Sequence, residues 1–241
     1  EEVYVLKAIN LQPGYNWVSF PGIPDTCTAA RVFGHDLPSG NMDVDATKVS
    51  WFNRGSSAVA TQTIWLASAT ATNPARWQIS NQNADNIRVP LDQGVVIEIP
   101  GGQAVQTMLF IGRVPTASMV QEIKGGTRTS AAYNLVSFNM PRNVSPSQMG
   151  LVESGFRGGN KPSLSDKIFK YDRVNKQIYG AGLWYKTTDM TWREATGVNG
   201  AIIGYNYFTP DDGILIVSIN TNNWAWTNRV LYTPPTRYMN P

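Results

Sequence analysis

The sequence predicts an all-β protein built from two tandem, similar β-sandwich or β-barrel modules with few short helical turns. Three observations predict this class. Short segments with alternating or β-branched residues recur along the whole chain, and clusters of glycine, proline, asparagine and aspartate separate them. In addition, a set of short motifs returns in the same order half a chain later. Strands at this spacing with turn signals between them are typical of sandwiches and barrels.

The individual strands are predicted from period-2 alternation or from short β-branched runs. They are residues 3–11, 17–20, 48–52, 61–66, 95–99, 108–114, 135–138, 167–171, 182–186, 214–219 and 229–232. Helix signals are scarce. Residues 28–34 and 145–153 each predict one or two helical turns, the second with Ser145 or Ser147 as its N-cap.

An internal duplication is predicted from five blocks that recur in the same order, at an offset of about 118–119 residues except for Trp77, whose match follows a four-residue deletion. Residues 15–20 (YNWVSF) return as 133–138 (YNLVSF), 48–54 as 167–173, 64–66 as 183–185, Trp77 as Trp192, and 91–97 as 210–216. We therefore expect one β module in residues 1–118 and a second in residues 119–241, with the strand at 3–11 a candidate for exchange between subunits.

The shared blocks indicate structural roles. Asn16 and its counterpart Asn134 follow turns that their side chains would hold. Four tryptophans, Trp65, Trp77, Trp184 and Trp192, are expected in pairs on adjacent strands. Core packing, an exposed platform for sugar stacking and a subunit interface are three interpretations of these rings, and the sequence leaves all three open.

The order of the motifs resembles a repeat of exported bacterial proteins. The first copy carries it as 14–18 (GYNWV), Phe52-Asn53, Trp77, 91–95 (LDQGV) and 110–114 (FIGRV). The second copy departs from the pattern, with Ala131-Ala132 before its Tyr-Asn and no glycine in its closing segment. The resemblance implies secretion and a β-rich module, and it supplies no catalytic residues.

Catalytic and cofactor chemistry finds little support in the residues present. The one cysteine, Cys27, excludes an internal disulfide and a cysteine-based metal site, and the one histidine, His35, lies in turn-forming sequence. Phosphate-loop and nucleophile-elbow motifs are absent from the sequence. Asp43 and Asp45 are a weak candidate pair for Ca²⁺ without the further ligands of a calcium loop. We expect no enzyme activity and no cofactor.

Charge and composition bound the partners. Only 15% of residues are charged, while Asn (20), Thr (20) and Gly (21) are abundant. The net charge is +3, divided as −2 over residues 1–118 and +5 over residues 119–241, without a cluster of Lys and Arg that would favour nucleic acid. No apolar run is long enough to span a membrane. Low charge and a first residue other than Met fit an extracellular or cell-surface protein whose signal peptide has been removed.

Three functions follow as hypotheses. The first is a non-catalytic subunit of a self-assembling extracellular structure or filament, a homo-oligomer or polymer in which Val3, Tyr4, Val5 and Leu6 add to a sheet edge of a neighbour. The alternative is a glycan-binding or adhesive module that uses Trp65, Trp77, Trp184 and Trp192. The third is a secreted hydrolase, which would need a carboxylate pair in a cleft or His35 beside an acid.

Overall fold

The computed structural model of the chain describes residues 2–55 and 60–228, and within them the all-β prediction is confirmed. The first half contains β1 (Tyr4–Leu11), β2 (Gly14–Val18), α1 (Ala29–Phe33), β3 (Lys48–Phe52), β4 (Ala60–Ala67), β5 (Arg76–Ile79), β6 (Gln82–Asn83), β7 (Val95–Ile99) and β8 (Gln106–Arg113).

Within the described residues, the second half also has eight strands and one short α-helix. It contains β9 (Met119–Ile123), β10 (Ala132–Val136), α2 (Leu151–Ser154), β11 (Lys167–Asp172), β12 (Gln177–Ile178), β13 (Leu183–Lys186), β14 (Thr191–Glu194), β15 (Ile214–Ser218) and β16 (Trp224–Asn228). A short 3₁₀ turn comes directly before β3, at Asp43–Asp45, and another directly before β11, at Pro162–Leu164.

Five strands in the sheet of each half follow the same order. The first sheet runs β2-β7-β3-β4-β5-β6, and the second runs β10-β15-β11-β13-β14 with β12 paired to β11. Each half also has a separate two-stranded antiparallel ribbon, β1 with β8 and β9 with β16. This correspondence is what two copies of one unit would produce, and the duplication itself stays a prediction.

The ribbons close the cores of their own halves. In each ribbon alternate residues face inward, as the period of a strand requires. Ile9 and Phe110 join a buried cluster drawn from the first half, and Ile123 and Trp226 join a second cluster drawn from the second half. Each half therefore places a six-stranded sheet and a ribbon around its own hydrophobic core.

The helical predictions are confirmed with changed boundaries. Residues 28–34 contain α1, whereas residues 145–153 divide into a 3₁₀ turn at Pro146–Met149 and the short helix α2. The division occurs at Gly150, which has a φ of 65° in the left-handed region. The N–H of Ser145 donates to the side-chain oxygen of Gln148 at 3.0 Å, so Ser145 begins this segment.

Several strand predictions were wrong in extent. The strand predicted at 17–20 is Gly14–Val18, and the strand predicted at 135–138 is Ala132–Val136. The short strands β5, β6, β9, β12, β14 and β16 were missed because their polar or tryptophan-containing sequences lack a β-branched run. The strand predicted at 229–232 lies outside the described residues.

The two halves meet where β2 and β10 end. The hydroxyl oxygens of Ser19 and Ser137 lie 3.0 Å apart. The N–H of Phe20 donates to Ser137 Oγ at 3.0 Å, and reciprocally the N–H of Phe138 donates to Ser19 Oγ. All four residues are buried. Because the same contacts run in both directions, this junction has the isologous character of a symmetric dimer.

Arg173 fastens one side of the junction. Its guanidinium donates to the backbone carbonyl of Trp17 at 3.0 Å and to a carboxylate oxygen of Asp211 at 2.7 Å. Lys7 Nζ lies 3.6 Å from the other carboxylate oxygen of Asp211. The side chains of Arg173 and Asp211 are each only 13% exposed, so water screens this pair weakly.

Arg54 occupies the equivalent position on the other side. It pairs with the carboxylate of Asp92, the counterpart of Asp211, and donates to the carbonyl of Glu122 in the second half at 2.7 Å. The Asp92 side chain is 46% exposed, in contrast to Asp211. The two equivalent pairs therefore differ mainly in their access to water.

This difference predicts an acid-dependent contribution from Asp211. Burial alone would raise the pKa of Asp211, but the charge and hydrogen bond of Arg173, together with Lys7, hold that pKa below its ordinary value of 3.8. Such a carboxylate stabilises the fold fully above the unfolded-state pKa and loses this effect as the pH falls through the folded-state pKa. We expect the difference in free energy of unfolding between the wild type and Asp211→Asn to have its full value above pH 3.8 and to decrease below that pH.

Urea midpoints of both proteins over a pH series measure this difference. Burial raises the pKa of Asp166, which acts in the opposite sense, but it does so in both proteins and cancels in the comparison. A difference between the wild type and Asp211→Asn that does not change with pH would contradict the prediction.

Candidate functional site

An exposed apolar surface covers the outer side of the β1–β8 ribbon. It consists of Tyr4, Leu6, Ala8, Leu109 and Ile111, which we name the ribbon face. Leu6 lies opposite Ile111 in the register, and Ala8 lies opposite Leu109. Leu6, Leu109 and Ile111 are 68%, 66% and 60% exposed. These side chains present on the order of 400 Å² of contiguous apolar surface, in the range of functional patches.

One edge of β1 beside the ribbon face is open. All eight residues of β1 pair with β8, and among residues 2–55 and 60–228 no strand pairs with the other edge. An unpaired edge is a template for a strand of another chain. Among the described residues, charges gather at one end of the face, where the Arg113 guanidinium contacts Glu2 at 2.9 Å and Asp25 at 3.3 Å.

The four residues predicted to mediate assembly divide between the two sides of β1. Tyr4 and Leu6 lie on the ribbon face, whereas Val5 packs half-buried against the first core. The carbonyl of Val3 accepts the N–H of Val114 at 2.8 Å. The segment is thus paired within its own chain, and its exchange between subunits stays a prediction. Truncation of β1 would remove the buried Ile9 from the core, so single substitutions on the ribbon face are the cleaner test.

The equivalent surface of the β9–β16 ribbon has a different character. Its outward residues are Val120, Glu122, Ala225 and Thr227. Val120 is 66% exposed, yet its neighbours on this face are charged, small or polar. Because the same position in the second half is filled without a cluster of large apolar side chains, the fold does not require the ribbon face to be apolar.

A cavity of about 520 Å³ opens beside Trp65 on the outer side of the first sheet. The half-buried side chains of Trp65, Thr63 and Lys48 come from adjacent strands β3 and β4 and form its floor. Exposed residues of two loops form its rim: Asn41, Met42, Asp43, Ser80 and Asn81.

Backbone hydrogen bonds hold both walls of this cavity. The loop before β3 is tied to β4, because the N–H of Gly40 donates to Leu66 O at 3.1 Å and the N–H of Ser68 donates to Gly40 O at 2.9 Å. The opposite wall is the two-residue turn between β5 and β6. Its residues Ser80 and Asn81 have φ values of 47° and 65°, the left-handed pair of a tight hairpin turn.

Lys48 carries a charge that is already compensated at the cavity floor. Its Nζ lies 3.0 Å from a carboxylate oxygen of Glu98 on the neighbouring strand β7. The hydroxyl of Thr63 forms a 2.8 Å hydrogen bond with the hydroxyl of Ser50. The carboxylate of Asp43 at the rim is the remaining charged group of the lining, so the cavity does not favour an anion.

Three of the four candidate sugar-stacking tryptophans lie in the core. Trp77 and Trp184 are fully buried and Trp192 is 3% exposed. The indole N–H of Trp77 donates to Gly34 O at 2.8 Å, and that of Trp184 to Glu194 O at 3.2 Å. The glycan-stacking prediction is wrong for these three, because a buried ring offers no face to a sugar. It stays a prediction for Trp65.

The candidate metal residues are not brought together with further ligands. Asp43 lines the cavity, and Asp45 ends the same 3₁₀ turn outside the lining. In the part of the chain that the structure describes, no group of three or more His, Cys, Asp or Glu residues could hold a metal ion.

His35 does lie beside an acid, in a structural arrangement. Its Nε2 is 3.0 Å from Asp85 Oδ1, and the same oxygen accepts the backbone N–H of Trp77 at 2.8 Å. Asp85 therefore joins the loop after α1 to β5. Cys27 contacts the carbonyl of Pro24, and burial raises the pKa of its thiol, which makes it a poor nucleophile.

The sequence reasoning missed two features of this structure. It matched Arg54 with Arg173 but did not predict that these two residues connect the halves. Asp92 and Asp211 recur at the same offset as the two arginines. It also assigned residues 108–114 to a strand without recognising that Leu109 and Ile111 face outward. The recurrence of Arg and Asp together was the signal available for the first feature.

Comparisons of the chain with protein-family models, with curated protein sequences and with solved structures find no match. Among the described residues, no helix has the length and apolar character needed to cross a membrane.

Proposed function

We propose that this chain is a non-catalytic subunit of a self-assembling extracellular structure, and that two copies associate through the ribbon face. The observation that carries the proposal is the contrast between the two ribbons. Leu6, Leu109 and Ile111 form an exposed apolar cluster in the first half, while the matching face of the second half is interrupted by Glu122 and Thr227. Exposed apolar clusters of this kind are typical of protein–protein contacts.

The second copy of this chain is the occupant that the surface suits. Between Tyr4 and Asn10 on β1, and between Thr107 and Ile111 on β8, the outward side chains carry no charge. Two ribbon faces can therefore pack on each other without desolvating an ion. Together they would bury on the order of 800 Å², well below the roughly 1,200–2,000 Å² of a stable specific interface.

The ribbon face by itself closes a weak symmetric pair, and a polymer needs a second contact, for which the unpaired edge of β1 is the candidate. Backbone pairing along the open edge of β1 adds to the buried area. In a polymer every copy is held by more than one contact, and the effective concentration of neighbouring sites raises the overall affinity.

The rest of the molecule supports a structural role. His35 and Asp85 are used to join a loop to a strand, and Cys27 has a raised pKa. The low content of charged residues is compatible with an extracellular protein, and the single cysteine means that such a protein would have no internal disulfide. The cavity beside Trp65 is lined by one carboxylate, that of Asp43, and so lacks the pair that glycoside hydrolysis uses.

Charge introduced on the ribbon face tests the proposal. We expect the wild type to self-associate as its concentration rises from about 1 μM to about 1 mM in sedimentation velocity, and Leu109→Lys with Ile111→Lys to remain monomeric. Both side chains are exposed, so the substitutions should change the free energy of unfolding by only about 0.5 kcal/mol each.

Val120→Lys is the matched control. It places one lysine, where the test variant has two, on an equally exposed apolar strand residue of the other ribbon. We expect this variant to associate as the wild type does. A wild type that stays monomeric over the whole range, or a Leu109→Lys/Ile111→Lys protein that associates normally, would refute the proposal.

A further inference from the structure

We infer that the cavity beside Trp65 is a binding site for a neutral carbohydrate. A sugar ring has an apolar face of C–H groups and a periphery of hydroxyls, so its site needs an aromatic surface surrounded by hydrogen-bonding groups. Trp65 supplies the aromatic surface, and Asn41, Asp43, Ser80 and Asn81 supply amide, carboxylate and hydroxyl groups at the rim. The volume of about 520 Å³ is in the range of small-molecule sites.

A comparison within the chain singles out this tryptophan. Trp65 on β4 and Trp184 on β13 occupy equivalent places, since each pairs with the next strand of its sheet, opposite Gln78 and Arg193 respectively. Trp184 is fully buried, and its indole N–H is bonded to a backbone carbonyl. Trp65 is left half-buried at an open cavity. The fold can therefore cover a tryptophan at this place, and in the first half it does not.

The charge of the lining selects against an acidic ligand. Lys48 is the cation of the cavity floor, and Glu98 lies 3.0 Å from its Nζ. Asp43 at the rim adds a carboxylate with no paired cation in the lining. A phosphate, a sulfated glycan or a uronic acid would meet this uncompensated charge, whereas a neutral sugar could donate its hydroxyls to it.

The site is also preformed. The loop that carries Asn41 and Asp43 is bonded to β4 through Gly40, and Asn81 sits in a tight hairpin turn. Ligand binding then orders few groups, which limits the entropic cost of association. One catalytic carboxylate pair is the minimum for glycoside hydrolysis, so the cavity binds the sugar without cleaving it.

An array of neutral and acidic oligosaccharides, built from glucose, mannose, galactose, xylose and uronic acid units, tests this inference. Hits are then titrated by calorimetry with the purified oligosaccharide. We expect at least one neutral oligosaccharide to bind, Trp65→Ala to weaken its affinity at least about tenfold, and Asn81→Gly to weaken it by a smaller factor. Asn81→Gly keeps a residue that tolerates the positive φ and removes only the amide.

Tyr15→Ala is the control, because Tyr15 is an exposed aromatic residue on β2 that does not line the cavity. This variant should bind the oligosaccharide as the wild type does. Absence of binding to every neutral oligosaccharide at about 10 mM would overturn the inference, as would Trp65→Ala with affinity within about twofold of the wild type. Binding of acidic oligosaccharides alone would overturn it as well. None of these outcomes depends on self-association, since the ribbon face and the cavity share no residue.

Discussion

Arg173→Ala is expected to lower the free energy of unfolding by about 3 kcal/mol, because it leaves Asp211 as a nearly buried carboxylate without its main partner. The carbonyl of Trp17 loses two guanidinium donors in the same variant. Lys7 remains 3.6 Å from Asp211, but its exposed side chain compensates only in part. Equilibrium unfolding in urea, followed by tryptophan fluorescence, measures the change.

Arg54→Ala is the matched variant on the other side of the junction. We expect a cost of about 1 kcal/mol, because Asp92 is 46% exposed and water can solvate its carboxylate once the guanidinium is gone. Equal costs for the two variants would show that exposure of the aspartate does not decide the strength of the pair, and would contradict the prediction.

Trp184→Ala is expected to destabilise the protein by about 3–5 kcal/mol, the range for removal of a large buried aromatic side chain. Its ring is fully buried, and its indole N–H donates to Glu194 O at 3.2 Å. The vacated space would also leave that carbonyl without its donor. Denaturant midpoints at a single pH measure the loss.

Trp65→Ala, at the equivalent place in the first half, should cost less than Trp184→Ala, about 1.5 kcal/mol, because its ring is only partly buried. Comparing the stability losses of the two variants distinguishes a tryptophan that stabilises the fold from one that is available to a ligand. A loss of stability in Trp65→Ala as large as that in Trp184→Ala would mean that Trp65 is a core residue, contrary to the structure described above.

The two proposals rest on the same kind of comparison. Where one half fills a position with a buried or polar side chain and the other half leaves an apolar or aromatic side chain exposed, folding does not explain the difference. The ribbon face differs in this way from the face around Glu122, and Trp65 differs from Trp184. These two departures identify the surfaces to which we assign function.

Local sequence patterns were sufficient for much of the fold. Alternation in residues 48–52 and 95–99 predicted β3 and β7 with their observed bounds. The Asn after each first turn was also predicted from local chemistry. Asn16 accepts the N–H of Gln12 at 2.8 Å, and Asn134 accepts the N–H of Lys124 at 2.9 Å. Such contacts join residues close in sequence, so a single segment contains all the information they need.

The ribbon face could not be predicted in this way. In β1 the residues of both parities are apolar near the start, since Val5 and Ile9 alternate with Tyr4 and Leu6. In β8 the run at residues 108–111 is apolar throughout, which is the pattern of a strand buried on both sides. Only the packing of the ribbon over its core shows which parity faces inward.

By itself, therefore, the sequence determined that the chain is all-β and where most of its strands lie, and it predicted which residues of the two halves correspond. The tertiary structure decided which side of each strand is covered, which of the corresponding tryptophans is open to solvent, and that Arg173 and Arg54 fasten the halves together. The physical reason is that strand alternation is a local property of the chain. Burial, by contrast, is set by residues distant in sequence that pack over the strand, and no local pattern records them.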